Sequence, residues 1–281
     1  MSQIRIVTDS TADMDEQLAA QLGIVTVPLK VHWNAETYED KTELSLDEFY
    51  RKLREEKGTP KTSQPSVGRF VDVYRELLES AEGIVSIHIS TKVSGTANAA
   101  QVAASQVAPD RIAIVDSKNL SDALGCLAIR VARLAAGGAS LPDCVATAED
   151  LVPRLRLFAA MDTLEFLRRG GRVNRMQAFA GNLLSIKPMV HLVNGEIVPV
   201  DRVRTRAASV KRMAELVAAL GRLEEVAVLY GDDPRPADDL EAQLTAILPG
   251  MAVRRGRTGA VIGTHTGPGV FGASAVVARG S

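Results

Sequence analysis

Residues 84–107 read IVSIHISTKVSGTANAAQVAASQV, and residues 112–115 read IAIV. The two β-branched runs are typical of buried strands in a parallel sheet. The stretch between them, from about Thr96 to Val107, has a helical pattern, and the polar loop Ser90–Thr96 precedes it. The segment therefore predicts a strand, a loop, a helix and a second parallel strand. Upstream, the apolar run Ile4–Thr8 predicts another strand of the same sheet.

The same alternation of apolar runs and helical patterns continues in both directions. In the first half we expect a strand at Val25–Trp33 and helices near Asp13–Leu22, Ser45–Glu56, Ser66–Ser80, Ser121–Ala136 and Pro142–Leu151. In the second half we expect helices near Thr205–Leu220 and Pro236–Leu248 and strands at Leu157–Met161, Ile186–Leu192, Ile197–Arg202, Val226–Tyr230, Met251–Arg255 and Ser274–Ala278.

The second half is less regular than the first. Asn194-Gly195 stands between two strand-like runs and favours a hairpin with a type I′ turn. From this change of pattern we expect an α/β protein of two domains. Residues 1–158 would form an N-terminal parallel-sheet domain that carries the hydroxyl-rich loops, and residues 159–281 a mixed α/β C-terminal domain.

Composition excludes several classes of protein. The 281 residues are 46% hydrophobic but only 4% aromatic, and the net charge is −1, which provides no general attraction to nucleic acid or anionic membranes. No apolar run is long enough to span a bilayer, and no secretory signal precedes the first strand, so we expect a cytoplasmic protein without stable membrane insertion. Cys126 and Cys144 lack the spacing of a metal site and predict reduced, structural thiols.

Five polar runs follow apolar stretches and predict a binding site. They are Thr8–Ser10, Lys61–Ser66, Ser90–Thr96, Asp116-Ser117 and Gly263–Gly269. Hydroxyls and free backbone N–H groups at helix starts form cups for a carboxylate or phosphate. Each run taken alone is also compatible with ordinary helix capping or a simple loop. Neither Lys61–Ser66 nor Ser90–Thr96 matches a Walker A loop or GxGxxG, so these runs do not indicate a nucleotide site.

His265 is the histidine with the strongest case for function. His32, His88 and His191 lie in apolar, strand-like runs and are expected to be structural. His265 instead lies in the glycine-rich run GTHTGPG, where we expect an exposed turn and an imidazole able to donate to an anion. The sequence names no partner that would complete a catalytic pair with it.

Two basic turns and a group of apolar residues lie in the second half of the sequence. The basic turns are compatible with a solvated loop, an anion site or a docking surface, and least with a nucleic-acid-binding site. They are the run Leu167–Arg172 and the arginines Arg202, Arg204 and Arg206. Between the turns lie apolar residues that fit either an ordinary core or an adaptable channel for an aliphatic ligand, namely Phe158, Met161, Leu164, Phe166, Leu167, Met176, Phe179, Leu183, Leu184, Ile186 and Met189.

Taken in order, these segments resemble the DegV family of bacterial fatty-acid-binding proteins over the whole chain. The resemblance is carried by IVTDS (6–10), KTSQPS (61–66), ISTKVSGT (89–96), VDS (115–117), LEFLRRGGRV (164–173), IKP (186–188) and IGTHTGPG (262–269).

The resemblance implies a lipid-binding protein of phospholipid metabolism that is not itself an enzyme and has no catalytic residue, metal or cofactor. It implies that the C-terminal domain encloses the acyl chain of a long-chain fatty acid, whose carboxylate is presented to a separate ATP-dependent kinase subunit and becomes an acyl phosphate. By resemblance, the residues that bind the head group are Thr62, Ser63, Ser94, Gly95, Thr96, Thr264 and His265. By resemblance too, the basic residues that dock the kinase or contact phosphate are Arg168, Arg169, Arg172 and Arg204.

Two rival functions stay open at this point. One is a stand-alone hydrolase or transferase that uses His265 as general base and the hydroxyl loops as an oxyanion site. The other is a lipid-responsive regulatory sensor. The hydrolase predicts turnover by the isolated protein, whereas the fatty-acid-binding subunit predicts none without its kinase.

Overall fold

A computed structural model of the protein describes residues 3–56, 58–172 and 186–280. Its strands are β1 (Ile4–Asp9), β2 (Val25–Val27), β3 (Lys30–Trp33), β4 (Glu36–Glu39), β5 (Lys61–Ser63), β6 (Gly83–His88), β7 (Ile112–Asp116), β8 (Leu155–Ala160), β9 (Lys187–Val193), β10 (Glu196–Val203), β11 (Leu223–Tyr230), β12 (Val253–Arg257) and β13 (Phe271–Val277). Its α-helices are α1 (Glu16–Gln21), α2 (Leu46–Glu55), α3 (Val67–Leu78), α4 (Thr96–Val107), α5 (Ser121–Ala136), α6 (Leu141–Leu151), α7 (Glu165–Arg169), α8 (Arg206–Ala218), α9 (Arg235–Ile247) and α10 (Ala260–Thr266).

The strands form three sheets. The first has the order β2-β1-β6-β7 and is parallel throughout. The second has the order β10-β9-β8-β13-β11-β12 and is mixed, because only β11 and β12 run parallel. The third is a small antiparallel sheet, β4-β3-β5. The predicted class, a parallel-sheet α/β half followed by a mixed α/β half, is confirmed.

The position of β8 bears on the boundary between the halves. Residue 158 lies inside β8, and the whole of β8 belongs to the six-stranded sheet. We therefore propose that the C-terminal domain begins at Leu155, immediately after the short 3-10 turn that follows α6.

Helix α5 joins the two larger sheets. It contacts β1 and β6 on one side and β8 and β13 on the other. Leu124 and Leu127 are completely buried in this interface, and burying a side chain of that size contributes about 1.5–3 kcal/mol. Gly125 lets the helix approach the backbone of Ala12, because a Cβ at this position would overlap the carbonyl oxygen. Cys126 and Cys144 are buried and not bonded to each other, as predicted.

The Asn194-Gly195 hairpin is confirmed. β9 and β10 pair in antiparallel register, and both turn residues have positive φ, 50° and 86°, as a type I′ turn requires. The single strand expected at Val25–Trp33 is wrong. Pro28 has no N–H to donate to a ladder, and on either side of it the chain enters different sheets as β2 and β3.

Candidate functional site

An apolar cavity lies between the six-stranded sheet, α10, β5 and the loops that follow β6 and β7. The space free of atoms between its walls is about 880 Å³, part of which opens to solvent. Most of the lining side chains are aliphatic or aromatic, among them Leu157, Phe158, Met161, Leu167, Val190, Leu192, Val261 and Ile262. A cleft lined by so few polar groups suits a hydrophobic small molecule.

One wall of the cavity is a face of α10, and this corrects a prediction. The run GTHTGPG was expected to form an exposed turn, but residues 260–266 are helical. Gly263 serves close packing and not a turn, since a Cβ there would lie 2.7 Å from Phe49 and 2.8 Å from the Tyr50 hydroxyl. The helix ends at Gly267, whose φ is +81°. Helical spacing then places His265 on the same face as Val261 and Ile262, so its ring is half-buried.

Thr62 and His265 meet at the polar end of the cavity. Thr62 lies in β5, opposite Val31 of β3. Its Oγ1 lies 2.8 Å from Nε2 of His265, and both residues line the cavity. The small three-stranded sheet, which the sequence did not predict, thus positions the Thr62 hydroxyl against α10.

The imidazole of His265 is neutral at pH 7. Removal of the ring from water, together with the positive charge of Arg172, lowers its pKa to about 4. Its Nδ1 is buried against Gly170 and has no hydrogen-bond partner in the part of the chain that the structure describes. Because a bare lone pair fits that position better than an N–H, we assign the proton to Nε2, which donates to Thr62. The Thr62 hydroxyl is then free to donate into the cavity.

Ser94 and Arg172 complete the polar end. Ser94 follows β6 in the loop that leads into α4, and its Oγ lies 2.8 Å from Oγ1 of Thr96. Arg172 lines the cavity and its Nε donates to the carbonyl oxygen of Val93, 3.2 Å away. The guanidinium is thereby tied to the loop that carries Ser94. Two hydroxyls, a neutral imidazole and one cation form a site that suits an anion.

The other predicted head-group residues lie behind this polar end. Ser63 Oγ lies 2.8 Å from Nε2 of His32. Gly95 packs against the Gln64 side chain, which a Cβ would overlap. Thr96 is buried at the start of α4 beside Ser94. The hydroxyl of Thr264 donates to Ala260 in its own helix, 2.9 Å away. Of the seven predicted residues, the structure brings Thr62, Ser94 and His265 together on the cavity wall.

The four predicted basic residues also divide into those at the cavity and those away from it. Arg168 and Arg169 lie on α7, their side chains 70% and 51% exposed, and both pair with Glu165. These partners lower the pKa of Glu165. Arg204 is exposed between β10 and α8. Among the four predicted arginines, Arg172 is the one that the structure places at the cavity.

Two of the polar runs serve the core instead of the cavity. Asp9 Oδ2 accepts hydrogen bonds from the Ile89 N–H and His88 Nδ1, and its Oδ1 accepts one from the Thr11 N–H. His88 Nε2 lies 2.7 Å from Ser86 Oγ, which accepts a hydrogen bond from Tyr74. These hydrogen bonds connect an aspartate to a histidine and the histidine to a serine, as in a hydrolase triad. Asp9, His88 and Ser86 are, however, fully buried and inaccessible to substrate. Ser117 is likewise buried and exchanges hydrogen bonds with the Asn119 backbone.

The sequence reasoning missed the polar residues Ser121 and Thr258, which also line the cavity. The buried carboxyl of Asp13 accepts hydrogen bonds from the Ser121 hydroxyl (2.6 Å) and from the N–H of Gly259 (3.0 Å), the residue after Thr258. Burial raises the pKa of Asp13 to about 7. Ser121 and Asp13 have positive φ, 53° and 41°. No local pattern marks such positions, since the contacts join segments more than 100 residues apart.

Some predicted features lie outside the described residues. These are Val173, Met176, Phe179, Leu183 and Leu184, all in the segment 173–185. Within the described ranges, no group of three or more His, Cys, Asp or Glu side chains is arranged to hold a metal ion. The described helices include none that is long and apolar enough to cross a membrane.

Comparison with known proteins decides the family. The sequence matches the family described as "Uncharacterised protein, DegV family" over residues 3–278. The chain belongs to the DegV family. It is 36% identical to Protein DegV of Bacillus subtilis over 273 residues, which cover 96% of this chain and 97% of that protein.

Two solved structures extend the likeness to three dimensions. A DegV family protein from Thermus thermophilus, described as fatty acid binding, superposes with a TM-score of 0.90 at 35% identity and covers 99% of this chain and 100% of its own. A stearic acid-binding protein from Eubacterium ventriosum superposes with a TM-score of 0.90 at 26% identity and covers 98% of each chain.

Proposed function

We propose that this DegV family protein binds one long-chain fatty acid and presents its carboxylate to a separate ATP-dependent kinase subunit, which forms the acyl phosphate. The observation that carries the proposal is the apolar cavity that closes on Thr62, Ser94, His265 and Arg172 at one end. The structural relatives described as fatty acid-binding and stearic acid-binding support the choice of ligand.

The apolar walls would supply most of the affinity. Each methylene group moved from water into the cavity contributes about 0.8 kcal/mol, so a chain of sixteen to eighteen carbons has a far larger apolar term than the net ~1 kcal/mol of a neutral hydrogen bond. In the lining, Met161 contributes a flexible apolar side chain and Phe158 a flat aromatic one. The polar end would then fix the direction in which the chain enters.

The polar end would hold the carboxylate without a close bidentate ion pair. The hydroxyls of Thr62 and Ser94 are suitable donors to the two carboxylate oxygens, and Arg172 adds positive charge from the neighbouring loop. His265 donates a hydrogen bond from Nε2 to the Thr62 hydroxyl and thereby orients it. A carboxylate held mainly by hydroxyls keeps a lone pair available for attack on the γ-phosphate of ATP.

The kinase would be a separate subunit, since the sequence has no Walker A loop. Its GxGxxG match, residues 267–272, leads from α10 into β13, whereas a dinucleotide-binding loop leads from a strand into a helix. The exposed arginines, Arg168 and Arg169 on α7 and Arg204 after β10, would meet acidic groups of that partner. We propose the cytoplasm, where ATP is available, as the site of this reaction, and phospholipid metabolism as its purpose.

The geometry favours this function over its rivals. A general base needs a second group to orient its imidazole, but Nδ1 of His265 has no partner among the residues described. Its lowered pKa, about 4, also makes it a weak base at neutral pH. A regulatory sensor differs from the proposed subunit only in lacking a kinase, so transfer of phosphate decides between the two.

The experiment is a phosphoryl-transfer assay on the palmitate-loaded protein. We would incubate it with ATP, with and without a DegV-partner kinase subunit, and trap acyl phosphate as the hydroxamate. We expect product only when both proteins are present, and less with Thr62→Val than with Thr264→Val. Turnover by the isolated protein would support the hydrolase, and the absence of product in the complete mixture would support the sensor.

A further inference from the structure

A second cleft, different in character from the acyl cavity, lies between the loop after β7 and the β9–β10 hairpin. It is more polar and opens to solvent, and its lining includes the hairpin residues Val193 and Asn194. The titratable and amide side chains that line it are Asp116, Lys118, Asn119, Glu149, Arg156, His191 and Asn194. None of these residues belongs to the predicted head-group site.

The cleft contains cations that lack carboxylate partners. Nη1 of Arg156 donates to the carbonyl oxygens of Pro153 and Leu155, which hold the guanidinium in place. No carboxylate of the described chain forms an ion pair with Arg156 or Lys118, whereas the nearby Arg154 pairs with both Asp150 and Glu224.

The acids of the cleft form no ion pair with these cations among the described residues. Asp116 accepts hydrogen bonds from the Thr91 hydroxyl at 2.6 Å and from the Lys118 N–H at 2.8 Å, which fix its carboxylate beside the loop. Glu149 is exposed at the edge, where water screens it. The two acids balance the two cations overall, so an anion would be held by direct contact with Arg156 and Lys118.

Asn119 adds an unused hydrogen-bonding group. The residue is only 4% exposed, and its amide oxygen has no partner in the described structure. Its backbone is fully engaged, with the N–H donating to Ser117 and the carbonyl oxygen accepting from the Ser90 N–H and the Ser117 hydroxyl. A buried amide oxygen without a partner indicates a missing donor.

The imidazole of His191 lies within the field of Arg156. Burial first, and then the charge of Arg156, lower the pKa of its imidazole. The ring stacks on Phe158 with a centroid distance of 5.6 Å and an interplanar angle of 1°.

We propose that this cleft is a second ligand site, which binds the carboxylate or phosphate group of a small metabolite between Arg156 and Lys118 and accepts a hydroxyl or amino proton of that metabolite at Asn119. This site is distinct from the fatty acid site.

The second site shares walls with the acyl cavity. Leu192 lines both, and Phe158, on which His191 stacks, lines the acyl cavity. Ser90, in the loop that carries Ser94, joins the two sites. Its N–H donates to the carbonyl oxygen of Asn119 and its hydroxyl to that of Gly195, 2.7 Å away. Its own carbonyl oxygen accepts from the N–H groups of Val93 and Ser94, which line the acyl cavity. Occupation of the cleft therefore alters fatty acid affinity, and by linkage the fatty acid alters anion affinity by the same factor.

The test is an NMR titration of ¹⁵N-histidine-labelled protein with inorganic phosphate and, separately, acetate. The His191 signal, assigned with His191→Gln, should move on addition of anion, and the pKa of its imidazole should rise because a bound negative charge favours the protonated form. A response to only one of the two anions would identify the group that the site prefers, phosphate or carboxylate. The response should be lost in Arg156→Gln and Lys118→Gln and retained in Arg235→Gln, whose arginine is exposed and paired with Asp233.

Two results would overturn the site. One is a His191 signal that does not move with either anion. The other is a response in Arg156→Gln equal to that of the wild type, in a variant that still binds palmitate and is therefore folded. The coupling has its own measurement, the palmitate affinity with and without phosphate. An unchanged palmitate affinity at saturating phosphate would keep the anion site and overturn the coupling.

Discussion

The side chains of Thr62 and His265 lie 2.8 Å apart, although 203 residues separate them in sequence. This hydrogen bond joins the edge strand of the small sheet to the last helix of the chain. It also fixes the direction of the Thr62 hydroxyl proton, because a neutral His265 that donates through Nε2 leaves that proton to the ligand. The proposed head-group site is thus built by an unpredicted sheet and an unpredicted helix.

Loss of the Thr62 hydroxyl should weaken fatty acid binding. A hydrogen bond to a charged acceptor contributes about 1.5–3 kcal/mol, so Thr62→Val should raise the Kd for palmitate roughly tenfold or more. Isothermal titration calorimetry on delipidated protein measures this. The matched control is Thr264→Val, because the Thr264 hydroxyl donates to Ala260 within α10. Equal losses in the two variants would contradict the placement of the carboxylate at Thr62.

Bound fatty acid should raise the pKa of His265. In the free protein, burial and Arg172 lower that pKa to about 4, and a carboxylate held beside the ring favours the protonated form. By linkage, palmitate affinity should then increase as the pH falls toward the raised pKa. NMR titration of labelled histidine, with His265→Gln for assignment, measures both midpoints. An identical midpoint with and without palmitate would place the carboxylate elsewhere.

Gly170 should tolerate no side chain. Its backbone (φ −76°) suits any residue, but a Cβ there would overlap Nδ1 of His265. We expect Gly170→Ala to displace the imidazole from Thr62 and to lower both the Tm and the palmitate affinity. Gly68→Ala is the control, since the nearest atom to its new Cβ would be 3.9 Å away in a helix, where alanine stabilises by roughly 0.5–1 kcal/mol. Wild-type binding by Gly170→Ala would refute the role of this contact.

Asp13→Asn should stabilise the protein at alkaline pH. Burial raises the folded-state pKa of Asp13 from 3.8 to about 7, so its contribution to stability is complete below about pH 4 and is lost as the pH rises through 7. Asparagine accepts the same bond from the Gly259 N–H and is never ionised. The advantage of the variant in unfolding free energy should therefore grow between pH 4 and pH 7, reaching about 1 kcal/mol or more.

Denaturant unfolding at pH 5 and pH 8 checks this difference. The control is Asp110→Asn, which replaces an exposed carboxyl. An advantage for Asp13→Asn that is independent of pH, or that shrinks as the pH rises, would contradict the account.

Elements with strong local signals could be predicted from the sequence. The bounds of α4 (Thr96–Val107) and α5 (Ser121–Ala136) agree with the predicted ones, because their helical patterns are long and bordered by clear loops. The Asn194-Gly195 hairpin was equally clear, since its turn chemistry is local.

The parts that failed depend on tertiary contacts. Strand β5 has three residues and exists because it pairs with β3, about 30 residues earlier. Helix α10 contains a glycine that local rules assign to a turn, but its packing against Phe49 and Tyr50 requires the missing Cβ. Thr62, Ser94 and His265 could be named because of the family resemblance. Ser121 and Thr258 could not, because only the folded chain brings them to the cavity.

The central claim is that the apolar cavity holds a fatty acid, and native mass spectrometry of the purified protein, followed by denaturing analysis of the extracted lipid, tests it most directly. We predict one long-chain fatty acid per chain, retained through purification in the wild type and depleted in Thr62→Val. Protein that carries no lipid even after incubation with palmitate, or that carries a polar metabolite in its place, would contradict the account.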